Sequence, residues 1–151
     1  VVISTEVVQH DFAAVSASGF TLFGYGSDWP SEGEPLLRSD PALARVAEEA
    51  ARVEGAARGF AVSVGRIATG DWFVNDHATR DAIAARTDAD LVEMEGAAIA
   101  FVAQRYGVPW IVIRSVSDAG DVAAPTAFDE YLPIAATNAA AIVEAILPKL
   151  P

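Results

Sequence analysis

The run Trp110–Ile113 constrains the fold more than any other stretch, because it is apolar at every position with no polar alternation. Such a strand has no face it can show to water, so it must lie in a sheet covered on both sides, as parallel strands do. Around it, strand-like and helix-like segments alternate. Val1–Val8 is β-branched and apolar, and residues 60–67 and 90–94 read as further strands. Ser39-Asp40-Pro41 is a polar cap followed by proline in the first turn, and it starts a helix that Gly55 closes. Asn75 or Asp76 caps a second helix running to about Arg86, and a third spans Gly96–Tyr106, ended by Gly107-Val108-Pro109. An alanine-rich pattern from Asp129 to Leu147 predicts a C-terminal helix with a kink near Pro133. This alternation is that of an α/β domain.

Residues 10–40 interrupt the pattern as a long irregular stretch rich in glycine, yet carrying Phe12, Phe20, Phe23, Tyr25 and Trp29. A loop of that length in a compact domain is usually functional or ordered by a partner. At 151 residues the chain fits one domain spanning 1–151. It opens directly inside a strand, so residues are expected before Val1.

Charge and cysteine content narrow the function. Lys and Arg total 10 against 21 Asp and Glu, a formal net charge of −11. That field repels phosphate backbones and anionic lipid, which disfavours nucleic-acid and membrane-surface partners and leaves a small neutral ligand unaffected. Cysteine is absent, which removes disulfides, thiolate nucleophiles and sulfur metal sites, and suits a cytoplasmic setting. No unbroken apolar run approaches the roughly 20 residues that span a bilayer. His10 and His77 have no metal-ligand spacing and are expected at the surface or in hydrogen bonds; no metal or other cofactor is expected.

In α/β sheets, ligands collect at the carboxyl ends of strands. Three polar clusters fall at such ends: Thr69–Phe73, Glu93–Glu95 and Arg114–Asp118. Each alone is weak evidence, since a strand-end carboxylate more often caps a helix or turn. Their convergence is the strongest signal the residues give.

Two of these clusters carry a resemblance. The stretch Val92–Ala100 (VEMEGAAIA), followed by Gly107–Asp121 (GVPWIVIRSVSDAGD), resembles the signature half of the 5′-methylthioadenosine/S-adenosylhomocysteine nucleosidases. These belong to the purine nucleoside phosphorylase-like superfamily. The paired Met-Glu and Ser-Asp, with Gly-Asp-x-Phe upstream, are specific for the superfamily and less so for the nucleosidase branch. The resemblance implies a three-layer α/β fold, a mixed sheet flanked by helices, of which this chain is the C-terminal portion without the first strands. It also implies a purine nucleoside as the small-molecule partner.

On that resemblance Asp118 is the general acid at N7 of adenine. Adenine leaves poorly as an anion, and protonation at N7 lets it depart neutral while the ribosyl group becomes oxocarbenium-like, the logic of glycosidases. An acid of this kind needs a partly desolvated setting to keep its proton. Glu95 grips the ribose hydroxyls, with Met94 against the sugar face. Phe73 stacks on the purine, and the Val74 backbone reads the adenine edge. Arg114 sits near the ribose and water, and Ser117 supports the Asp118 loop. Glu93 is structural or supports the site from behind its ligand-facing residues.

Without the resemblance, Asp118 reads as a turn cap, Glu95 as a first-turn acid favoured by the helix dipole, and Met94 and Phe73 as core. Trp72 is an alternative ring for the site. Phe23, Tyr25 and Pro30 resemble the segment by which a neighbouring subunit closes the 5′ pocket, although Ala13–Leu22 is longer than the usual pattern. The same rings could instead form a dimer patch; both readings imply a homodimer. The family's water-activating glutamate has no counterpart here, so phosphorolysis, futalosine-type hydrolysis and non-catalytic purine binding remain alternatives.

Overall fold

A computed structural model describes residues 1–25, 34–120 and 124–150. Its frame is a five-stranded mixed sheet built on β1, Val2–Gln9. Along one edge β1 pairs in parallel with β5, Ser63–Thr69, which in turn pairs in parallel with β6, Leu91–Glu93. On its other edge β1 takes two short antiparallel partners: β7, Ile113–Arg114, beside Val2 and Ile3, and β4, Leu37–Arg38, beside Glu6 and Val7. The β1–β5 register breaks between Ser4 and Glu6, an irregularity of the kind that bends and twists a strand.

Neighbouring residues on β1 and β5 feed opposite faces. Val7 and Ile67 join Val2, Leu37, Trp110 and Val112 in a core closed by Ala97 and Ala100 of α3, Gly96–Arg105. On the other face Ile3 packs with Ala47, Ala50 and Ala51 of α1, Pro41–Arg58, and with Ile142 and Ile146 of α4, Ala124–Ile146. Val8 and Ala68 meet Ile83 of α2, His77–Thr87. Helix, sheet and helix form three layers, as expected. A 3-10 turn at Leu147–Lys149 follows α4.

The apolar run behaves differently from the expected parallel strand. Trp110 and Val112 enter one core while Ile111 and Ile113 pack against the other, so both faces are indeed covered. Only Ile113 and Arg114 form a ladder, and it is antiparallel. Upstream, other partners take the backbone: Asp40 donates to the Trp110 carbonyl at 2.9 Å, and the Val112 amide donates to Ser4 Oγ at 2.9 Å.

Other expectations shift for local reasons. Part of the irregular stretch folds as a hairpin, β2 (Ala13–Ser16) with β3 (Gly19–Leu22). Asp40 caps α1, accepting from Ala42 and Leu43 at 2.9 Å. Gly55 lies inside that helix, where a Cβ would collide with the Phe60 carbonyl; the helix ends instead at Gly59, in the left-handed region with φ 81°. The strand after α1 begins at Ser63, not Phe60. Asp76 is the cap of α2. Helix α4 starts before Asp129 and runs through Pro133. By length and composition alone, Asp129–Lys149 is apolar enough to cross a membrane. Thr137, Asn138 and Glu144 interrupt it, which is why no unbroken run is visible there.

Candidate active site

The parallel registers align Gln9, Thr69 and Glu93, so the chain leaves β1, β5 and β6 on the same edge. A cleft of about 850 Å³ opens where β5 and β6 end, lined by Trp72, Phe73, Val74, Met94, Glu95, Arg114, Ser117 and Asp118 among others. Every described residue predicted for the substrate or the acid therefore lines one cavity. The third cluster reaches it by a different route than expected, because Arg114 leaves antiparallel β7 rather than a parallel strand.

Glu93 organises the floor. Its carboxylate accepts the Gly96 amide at 2.9 and 2.8 Å, the Glu95 amide at 3.2 Å, and the Thr69 hydroxyl. Thr69 Oγ1 in turn accepts the Ala97 amide at 2.8 Å. These bonds satisfy amide groups in the first turn of α3, which otherwise lack intrahelical partners. Arg114 Nη2 donates both to Glu93 and to Glu95, the latter at 2.8 Å. Glu93 thus supports the site as expected, through donors that come from β5, α3 and β7. The Glu95 side chain is 61% exposed and lines the cleft.

Asp118 stands on the loop after β7, half-buried. Ser117 Oγ donates to its Oδ2 at 2.8 Å and the Gly120 amide to its Oδ1 at 2.9 Å. Arg80 of α2, which also lines the cleft, donates to the Ala119 carbonyl at 3.0 Å and ties this loop to α2. Phe73 and Met94 are 51% and 41% exposed, so both present apolar surface where they line the cleft.

Phe23 and Tyr25 do not line this cleft. They cluster with Phe12: Phe12 meets Phe23 edge-on at 5.4 Å and stacks on Tyr25 at 6.2 Å, while Tyr25 lies 5.8 Å from Phe101 of α3. The Tyr25 hydroxyl accepts the Gln9 amide at 3.1 Å, and burial pushes its pKa up to about 12, so it stays a neutral phenol. Pro30 lies outside the described residues.

A profile of the phosphorylase superfamily matches residues 1–148. The chain belongs to the phosphorylase superfamily. It is 37% identical, over 99% of its length, to the 5′-methylthioadenosine/S-adenosylhomocysteine nucleosidase of Actinobacillus succinogenes, of which it covers 61%. It is 31% identical, over 98% of its length, to the aminodeoxyfutalosine nucleosidase of Helicobacter pylori, covering 60% of it. The crystal structure of the methylthioadenosine/adenosylhomocysteine nucleosidase of Neisseria meningitidis, in complex with methylthio-immucillin-A, superposes with TM-score 0.78 at 35% identity, with 99% of this chain and 61% of that one covered. The chain therefore spans about three-fifths of the length of the relatives it matches. Its mixed sheet between helix layers is the fold of those nucleosidases.

Proposed function

We propose that this chain carries the base-binding and proton-donating part of an enzyme that hydrolyses the N-glycosidic bond of 5′-methylthioadenosine and S-adenosylhomocysteine. The observation that carries the reading is one cleft lined by an acid, Asp118, by the Glu95–Arg114 pair, and by the ring of Phe73. Phe73 stacks on adenine and the Val74 backbone meets its edge. Glu95 accepts from the ribose hydroxyls, each such bond to a charged group contributing about 1.5–3 kcal/mol. Arg114 fixes the Glu95 carboxylate, and Met94 packs on the sugar.

As the bond from C1′ to the base breaks, the Asp118 carboxyl gives its proton to N7 and adenine leaves neutral. Ser117 holds the Asp118 side chain in place. Water adds to C1′ and releases a proton to solvent, which completes the thioribose product and leaves Asp118 to be reprotonated. None of these residues activates that water, so the choice between water and phosphate lies outside their chemistry. In this reading residues 1–151 act as one domain, and the enzyme is a cytoplasmic homodimer. The Phe23–Tyr25 segment and Pro30 of one copy close the 5′ pocket of the other, with no cofactor needed.

A second reading has direct support in the likeness to the Helicobacter pylori aminodeoxyfutalosine nucleosidase. It keeps the same base chemistry and changes only the 5′ group accepted. Adenine release by the full-length protein separates these readings. The proposal expects release from methylthioadenosine at the same rate with and without phosphate. Strict phosphate dependence would make the enzyme a phosphorylase. Release from aminodeoxyfutalosine alone would favour the second reading. Bound adenine without turnover would indicate a binding protein.

A further inference from the structure

His10, the first residue after β1, has no solvent exposure. Neither ring nitrogen has a hydrogen-bond partner among the described residues. A buried polar ring without partners needs a reason, because desolvating it is unfavourable. Packing supplies one. The ring fills the space beside Gly70, where any Cβ would overlap it, and meets Trp72 edge-on at 5.2 Å with planes at 70°.

The backbone and the next side chain grip the same turn. The His10 amide donates to the Thr69 carbonyl at 2.8 Å. Asp11 Oδ2 accepts the Asp71 amide at 2.7 Å, and Gln9 Nε2 steadies the other carboxylate oxygen at 3.3 Å. Behind them Arg86 of α2 donates to the His10 carbonyl at 3.5 Å and stacks its guanidinium over Phe20 of the hairpin at 4.4 Å. Burial lowers the His10 pKa; Asp11 and, more weakly, Asp71 oppose that, while Arg86 adds to it, and the ring stays neutral.

We propose that His10 and Asp11 are positioning residues that lock the turn at residues 70–72, and so fix the aromatic wall of the cleft that Phe73 and Trp72 form. Neither touches the substrate. They act through the turn, and they couple it to the aromatic segment that begins at Phe12, whose Tyr25 holds the Gln9 amide. The consequence for base binding rests on the reading of the cleft proposed above; the locking of the turn does not.

Hydrogen–deuterium exchange on the full-length protein tests the lock without any ligand. His10→Ala and Asp11→Ala should each speed exchange of the 70–73 amides by about tenfold or more, with the α1 amides unchanged. Asp11 is only partly buried, so its variant keeps the test alive if His10→Ala does not fold. Unchanged exchange at residues 70–73 in folded Asp11→Ala overturns the proposal, as does acceleration spread evenly over the chain. Adenine titration then tests the consequence. Both variants should bind adenine about tenfold more weakly, with the kinetic loss in KM rather than kcat, as misplaced stacking predicts. Wild-type affinity despite faster exchange would overturn the link to the cleft. A wild type that binds no adenine, yet shows the exchange effect, would sink the functional reading and leave the lock standing.

Discussion

Glu93 receives bonds from β5, α3 and Arg114 while its own side chain is only 9% exposed. Its charge does two things. It satisfies amides at the start of α3 that have no intrahelical partner, and it draws Arg114 to where Glu95 can share it. Removing it strands these donors, a loss of about 1–3 kcal/mol for groups this far from bulk water. Glu93→Ala should therefore lower the unfolding free energy by that amount in urea titrations, and raise KM for the nucleoside because Arg114 no longer holds Glu95. A change below about 0.5 kcal/mol, within the range of ordinary surface substitutions, would mean that the network is ornamental. Glu93→Gln keeps an acceptor oxygen and should fall between wild type and Ala.

At the scale of elements, the start of α1 is the clearest case of local chemistry setting structure. Asp40 satisfies the Ala42 and Leu43 amides, and Asp40→Ala should cost about 1 kcal/mol in thermal or chemical unfolding. An unchanged midpoint would contradict the cap. Caps of this kind are legible in a sequence because donor and acceptor lie within a few residues. The hairpin Ala13–Leu22 is not legible in that way. Its strands are short, Ala13–Ser16 is mostly exposed, and part of its anchoring is Arg86 over Phe20, a contact made across the fold. Gly55 misleads for a related reason. Glycine reads as a stop, yet here it lets α1 pass close to Phe60, and Gly59 does the stopping. The run at residues 110–113 announces its burial correctly but not its direction, because burial on both faces does not distinguish a parallel from an antiparallel neighbour, and here β1 is antiparallel to it.

Across the whole molecule, the site was more legible than the sheet that carries it. Asp118, Glu95 and Phe73 stand in short motifs that single them out only through the family resemblance, and the fold gathers them into one cleft. His10 and Glu93 could not be ranked that way, since what matters about them is what they touch: Gly70 and Trp72, some 60 residues away, and Arg114, 21 residues on. The net charge of −11 fits the same picture, because a neutral nucleoside enters such a field where a polyanion does not. The account stands or falls on Asp118 acting in the transition state rather than in binding. The direct measurement is single-turnover adenine release, alongside equilibrium binding of methylthioadenosine, for full-length wild type and Asp118→Asn. Turnover should drop by about 10²–10⁴-fold while the dissociation constant moves by less than about tenfold. Undiminished turnover, or a loss matched in full by weaker binding, would contradict it.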